Sequence, residues 1–354
     1  MAEIMLEQDS QPVPLSPEDE LIVKEAIARQ QKLLDVDSAN ELARFKQRLA
    51  WRQKRSRMIW SAAASLLLII GIGAGLALYQ GNLKTEEPIL VYEATDAVSG
   101  SLLYMDGKPI SLNSDAALLA LQKLGAEITN DGIKYPSEGE SMMNTITTSY
   151  GQTFTISLSD GSVVQLNSQS TFTYPTIFTE ESREVKLKGE AYFTVTKEAN
   201  HPFIVHTEDV DIKVLGTEFN VRNYGGEPST VTLVKGSIEV ITPTRPPMLL
   251  KPGQTLTYTN ADTNEFEITN EDIREYTEWK SGYFYFNDKP LHDIFRIIGR
   301  YYNITVVCDD WDLMKTHFNL WVDMSLPLDE NLKIINEVSG LHAIMKNNKV
   351  TIKK

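Results

Sequence analysis

The stretch from Ile59 to Tyr79, IWSAAASLLLIIGIGAGLALY, carries no charged residue, and the rest of the chain is placed by reference to it. At ~1.5 Å of helical rise per residue it reaches about 31 Å, the thickness of a bilayer's hydrocarbon core. Its nine Leu and Ile residues each favour insertion by roughly 0.3 to 0.6 kcal/mol near the bilayer centre. A single transmembrane helix is expected. Arg52, Lys54, Arg55 and Arg57 crowd its N-terminal side, whereas the first charges after it are Lys84, Glu86 and Glu87. That asymmetry predicts a cytoplasmic N-terminus and a C-terminal part beyond the inner membrane. A cleaved signal peptide fits poorly, because its apolar core would begin near residue 1 and here a polar segment of 58 residues comes first.

Charge supports this division. Residues 1–58 hold ten acidic and ten basic side chains, so the formal charge of −14 belongs to the part after the helix. An outer part this acidic repels the phosphate backbone and excludes nucleic acid as a partner. Cys308 is the one cysteine, which rules out an internal disulfide and fits a cysteine-poor bacterial periplasmic domain.

Before the membrane, two helix starts follow each other. Ser16 can cap a first helix, with Pro17 at its first position and Glu18, Asp19 and Glu20 where unpaired N–H groups favour negative charge. Ser38-Ala39-Asn40-Glu41 is a capping box, followed at helical spacing by Leu42, Phe45 and Leu49. Two helices of this length cannot bury both apolar stripes against each other. They call for a partner, the alternative being a membrane-proximal hairpin with no ligand. Within the anchor, Gly71, Gly73 and Gly75 fit close helix approach, a helix loosened for intramembrane proteolysis, or ordinary membrane glycines.

After a linker from Gly81 to about Pro88, the pattern turns to short alternating segments. Phe154 to Leu158 and Val164 to Leu166 flank Asp160-Gly161, a dipeptide suited to a tight hairpin turn. Strand signals then recur every 8 to 12 residues or so as far as Tyr258, which predicts an all-β sandwich or solenoid. Asp106 to Asn113 echoes Asp160 to Asn167, suggesting a repeated hairpin, and Asp115 to Leu124 reads as a short helix stopped by Gly125. Beyond Trp279 two βαβ units are expected. The first has strands at Tyr283–Phe286 and Ile304–Val307 around a helix from Leu291 to Tyr301. The second has a strand at His317–Val322, a helix at Leu328–Ser339 and a hairpin turning at Asn347-Asn348. Edge strands of such a domain could accept a partner.

Catalytic signals are missing. The histidines at 201, 206, 292, 317 and 342 show no metal-binding spacing, and neither a nucleophile elbow nor a phosphate loop is present. No enzyme, cofactor or metal site is expected, and Cys308 reads as core.

The residues themselves point to a family. GQTFTISLSDGSVVQLNSQSTFTYP from Gly151, REVKLKGEAYFTV from Arg183, HPFIVHT from His201, VLGTEFNV from Val214 and TLVKGSIEV from Thr232 resemble the FecR-like family of anti-sigma factors, the iron-dicitrate sensor type. From Pro290-Leu291 onward the chain resembles the C-terminal domain found with this family in Bacteroidetes. The resemblance implies a relay. An extracytoplasmic-function sigma factor would be held by residues 1–57, with Leu42, Phe45 and Leu49 in the contact. The periplasmic part would meet the signalling domain of a TonB-dependent outer-membrane transporter, and membrane proteases would release the sigma factor. Some members also cleave themselves at a Gly-Thr bond, here Gly216-Thr217, by attack of the threonine hydroxyl on the preceding carbonyl. A bulge or turn glycine is the other reading of that dipeptide.

The expected organisation is therefore a multidomain membrane protein. Residues 1–57 form a helical cytoplasmic domain and 58–80 the transmembrane helix. Residues 81–144 are a linker and the start of the periplasmic region, 145–278 an all-β domain, and 279–354 a small α+β domain. Two other classes stay open. One is an anchored periplasmic binding module, for glycans for instance, using Trp279, Tyr283, Trp311 and Trp321. The other is an assembly scaffold.

Overall fold

The computed structural model describes residues 88–353, apart from 96–99, 106–107, 130–131, 179–180, 243–244 and 260–264, together with Glu18, Leu21, Lys24, Ala43 and Lys46. The chain divides into two compact units, Met1–Thr85 and Glu86–Lys354. In the first, the five described residues are helical and exposed, in the two segments where the caps at Ser16 and Ser38 predict helix. Ile59–Tyr79 with its glycines, and Leu42, Phe45 and Leu49, lie outside the described residues. Among the described residues no helix is long and apolar enough to cross a membrane.

The second unit is organised around the strand Arg183–Thr194, whose sequence REVKLKGEAYFT alternates along its length. Its first half lies between Phe203–His206 and Thr171–Pro175. From there the sheet runs outward one way through Asp211–Val214, Ile238–Ile241 and Met248–Leu250. The other way it runs through Met143–Thr147, Leu102–Met105 and Lys108–Ser111. The second half of the same strand lies between Val163–Leu166 and Glu218–Asn223. That run continues through Phe154–Ser157, Gly132–Lys134 and Glu127–Thr129 on one side. On the other it continues through Ser229–Lys235, Gln254–Thr259 and Glu265–Asn270. One curled sheet thus doubles back as two layers that share a strand.

The strand changes layer at Gly189. Its φ is +105°, and a Cβ there would lie 2.5 Å from Ser170 Oγ, so only glycine fits. At this point Ser170 replaces the ladder. Its Oγ accepts from the Glu190 N–H at 2.9 Å and donates to the Glu190 carbonyl at 3.1 Å. Between the layers Phe172, Tyr174, Phe193, Phe203 and Phe219 are fully buried, with Phe193 stacked on Phe219 at 4.8 Å. Nearly all pairings are antiparallel, the exceptions being Arg183–Thr194 with Phe203–His206 and Gly132–Lys134 with Phe154–Ser157. That favours the sandwich over a solenoid of parallel coils. The echoed segments belong to two hairpins in different layers.

The C-terminal domain keeps its α+β character but not the expected strand partners. Tyr283–Pro290 pairs with His317–Asp323 as a two-stranded ribbon. Thr305–Cys308 pairs instead with Lys349–Lys353, which turns through Asn347 and Asn348, both at positive φ, into His342–Lys346. The strands flanking each helix therefore lie in different sheets, and the two βαβ readings are corrected accordingly. The reason is packing. The helix Leu291–Tyr302 buries Leu291, Ile294, Phe295 and Ile298 in a core that takes Phe284, Phe286, Leu320 and Val322 from the ribbon and Val306, Cys308, Val350 and Ile352 from the sheet. The strands before the two helices pair with each other, whereas the strands after them, Thr305–Cys308 and His342–Lys346, both pair with Lys349–Lys353. The remaining sheet position is taken by Ile89–Tyr92, antiparallel to Thr305–Cys308.

Candidate functional site

The alternation of Arg183–Thr194 predicts one covered and one solvent face throughout, and only its first half behaves that way. Glu184, Lys186 and Lys188 are exposed, whereas Glu190 and Tyr192 are buried because the C-terminal domain packs on the second layer there. The junction is polar and satisfied. Glu190 accepts from Asn167 Nδ2 at 2.8 Å and from Asn220 Nδ2 at 3.0 Å. Trp279 Nε1 donates to the Tyr276 carbonyl at 3.1 Å and to Asn220 Oδ1 at 3.4 Å. Lys280 Nζ lies 3.3 Å from the centroid of the Tyr192 ring. Burial, reinforced by Glu218, pushes the Tyr192 hydroxyl up to about 12.

Glu227 is the charge centre of this junction. It pairs with Arg222 at 3.3 Å and with Arg300 from the helix Leu291–Tyr302. Burial alone would raise its carboxyl, but the Arg300 and Arg222 guanidiniums outweigh that and hold it below its ordinary value. Arg300 also stacks on Tyr224, whose hydroxyl donates to the Ser168 carbonyl at 2.6 Å. Buried charges persist only when paired in this way. These contacts tie the two domains together across the junction.

Gly216 and Thr217 form the turn before Glu218–Asn223. A Cβ on Gly216 would lie 2.6 Å from Lys197 Cα, so the glycine answers a close backbone approach. Opposite stands Gly236, at φ +100°, where a Cβ would lie 2.9 Å from both the Gly216 carbonyl oxygen and Thr217 Oγ1. Thr217 is buried, and its hydroxyl donates to the Ser237 carbonyl at 3.0 Å. Just beyond the dipeptide the pairing slips between Glu218 and Phe219, where Val234 is the extra residue on the facing strand. The bond lines a groove of about 540 Å³ together with Lys213, Glu239 and Leu249.

A larger groove, about 1180 Å³, runs over the exposed face of the first layer past Thr171, Thr173, Lys186, Lys188 and His206. Thr145 and Thr173 hydroxyls meet there at 2.8 Å. His206 lies between Asp211 at 2.8 Å and Glu184 at 3.3 Å, and His201 beside Glu198. Among the described residues no cluster could hold a metal ion. Cys308 is buried, and burial raises its thiol, as suits a core residue. Of the aromatic residues proposed for ligand contact, Trp279 is buried in the junction and Trp311 stacks on His292. Tyr283 and Trp321 are exposed side by side on the ribbon. Arg300, Tyr224 and Glu227 carried no signal in the sequence, because each is ordinary by type and only the docked domain gives it a role.

Residues 144–239 match the FecR protein family, and residues 283–352 match its C-terminal domain, FecR, C-terminal. No curated protein matches the chain. Two solved structures of a candidate anti-sigma factor from Parabacteroides distasonis ATCC 8503, at 1.65 and 2.50 Å, are each 31% identical to it with TM-scores of 0.55. They align over 59% and 60% of this chain and 98% and 99% of their own. The two family matches fall on the curled sheet and on the domain docked against it, in that order, and the chain belongs to the FecR-like family of anti-sigma factors.

Proposed function

We propose that this chain is a single-pass inner-membrane anti-sigma factor. Residues 1–57 hold an extracytoplasmic-function sigma factor in the cytoplasm, and the unit from Glu86 onward receives a signal in the periplasm from a TonB-dependent transporter. The observation that carries this reading is the order of parts in one chain. A FecR-type unit follows an uncharged segment of membrane length, and two segments with helix-capping sequences and apolar residues at helical spacing precede it. Release of the sigma factor by membrane proteases completes the relay. The test is capture from the native cell with the full chain, solubilised in detergent, as bait. A small sigma factor is expected among the captured proteins, and Leu42→Asp/Phe45→Asp should lose it. Intact bait that captures no sigma factor overturns the assignment.

Self-cleavage at Gly216-Thr217 belongs to the same proposal. Thr217 Oγ1 attacks the Gly216 carbonyl carbon, the amide nitrogen leaves as the new amine of Thr217, and water then breaks the resulting ester. A two-band pattern abolished by Thr217→Ala supports it, whereas an intact purified chain leaves the bulge reading.

A further inference from the structure

The four-stranded sheet of the C-terminal domain has two edges, and they are closed in different ways. At His342–Lys346 the closure is local. Asn336 donates its side-chain N–H to the Ala343 carbonyl at 3.0 Å and accepts from the Ala343 N–H at 2.8 Å, so one side chain occupies the position of a neighbouring strand. At Thr305–Cys308 the closure comes from residues 89–95, more than two hundred positions away in the chain.

That remote segment is gripped by a small set of groups. Tyr92 lies flat against the helix at Gly299, where a Cβ would come within 2.7 Å of its ring. Its hydroxyl donates to Gln169 Oε1 at 3.2 Å. Asn303, in the left-handed conformation that ends the helix, accepts from the Thr95 N–H and donates to the Thr95 carbonyl, both at 3.0 Å. The Ala94 N–H donates to Thr305 Oγ1 at 3.1 Å. Against this, only Ile89, Leu90 and Tyr92 are paired, Ile89 and Leu90 are 42% and 53% exposed, and Val91, the one buried residue of the strand, is the unpaired residue where the register slips. Backbone pairing, one aliphatic contact and one ring do most of the holding, and such a strand is replaceable by another of like pattern.

We propose that the Thr305–Cys308 edge is a strand-accepting site for an extended segment of a partner protein, and that Ile89–Thr95 is the chain's own occupant, displaced when the partner binds. The site selects an extended segment with an aliphatic residue followed by an aromatic one. The ring takes the Gly299 notch, and the backbone three positions later takes the Asn303 amide. Displacement frees the stretch that joins this unit to Ile59–Tyr79. The proposal rests on the reading of this unit as the part that meets a protein partner, and its test involves no sigma factor, so failure of sigma capture and failure of the strand site are separate results.

The test uses the full chain in detergent, a strap variant (Val91→Asp/Tyr92→Ala) and the labelled peptide ILVYEAT, which copies residues 89–95. Hydrogen exchange in the strap variant should rise at 305–308 and stay slow at 349–353. The peptide should bind the variant at least about tenfold more tightly than the unaltered chain, whose own strand competes, and should restore protection at 305–308. Gly299→Ala added to the variant should abolish binding, as should a Tyr→Ala change in the peptide. Equal binding to both chains, or none to the variant, overturns the proposal. So does exchange rising together at 305–308 and 349–353, which would make residues 89–95 an integral part of the domain. Sedimentation of the unaltered chain as a dimer that the peptide dissociates would assign the edge to a second copy and overturn the partner reading.

Discussion

Arg300 holds its guanidinium carbon 3.8 Å from the centroid of the Tyr224 ring, and in the same position pairs with Glu227. One side chain thus ties the helix of the C-terminal domain to the turn after Glu218–Asn223. Replacing it with alanine leaves Glu227 to Arg222 alone and empties the space over the ring. Arg300→Ala should cost about 3 kcal/mol, because a buried ion pair broken on one side leaves an uncompensated charge. A urea unfolding midpoint checks this. Arg300→Lys should recover only part of the loss, since an ammonium lacks the planar fork that both pairs and stacks.

The same junction sets an acid limit. Glu227 titrates below its ordinary value of 4.5 in the folded protein, so it binds a proton more readily when the chain is unfolded. Its stabilising contribution is complete above that ordinary value and is lost as pH falls through the lower, folded one. Unfolding midpoints measured from pH 6 down to about pH 3 should decline, and Glu227→Gln should flatten the decline while lowering the midpoint at neutral pH.

At alkaline pH buried tyrosines make the folded chain less stable as pH rises. Tyr192 and Tyr302 are raised to about 12, first by burial, so they stay neutral in the folded chain after their unfolded counterparts ionise near 10. Stability that is complete below pH 10 should therefore fall as pH rises toward 12. Tyr192→Phe should soften that fall, as read by thermal unfolding at stepped pH.

Gly189→Ala should be among the most damaging single changes in the unit. It adds a Cβ against Ser170 at a positive φ, where strain alone costs roughly 1–3 kcal/mol. Because the strand belongs to both layers, near-ultraviolet circular dichroism from Phe172, Phe193 and Phe219 should weaken together. Ala191→Gly, two residues on, gives no such clash and should keep the signal.

Gly216→Ala and Gly236→Ala test the close packing at the Gly216-Thr217 turn. Both crowd the same pocket, from Lys197 on one side and from the strand Ile238–Ile241 end on the other. Both should lower the unfolding temperature by several degrees. If chain breakage at the turn occurs, Thr217→Ala should stop it, at the cost of the buried hydrogen bond to the Ser237 carbonyl, and Thr217→Ser should retain it.

Much of this fold is legible in the sequence because its local signals and its tertiary structure agree. Asp160-Gly161 turns a hairpin as expected, with Gly161 at φ +81°, and Asn347-Asn348 does the same at the end of the chain. The helix Leu328–Ser339 stops at Gly340. What could not be read depends on contacts between distant segments. Arg300 stands about half a turn away from the Leu291, Ile294, Phe295 and Ile298 stripe, so periodicity assigns it to solvent. It is buried because that helix has a second covered face, against the curled sheet. Ile89–Tyr92 is likewise too short to announce a strand, and nothing local names Thr305–Cys308 as its partner. Side chains at the junction are polar for the same reason that they escaped notice: periodic pattern marks apolar faces, not satisfied hydrogen-bond networks.

Ala94 and Thr305 are 211 positions apart. During synthesis at about 5–20 residues per second, the strand that borders the C-terminal sheet waits roughly 10 to 40 seconds for the residues it will join. The curled sheet is made entirely within that interval. It is in effect an insertion into a domain whose first strand is made before it and whose last is made after it. The strand that borders the C-terminal sheet is thus in place only after the curled sheet has been made, and a truncation anywhere between Tyr92 and Thr305 leaves Ile89 and Leu90 with no sheet to join.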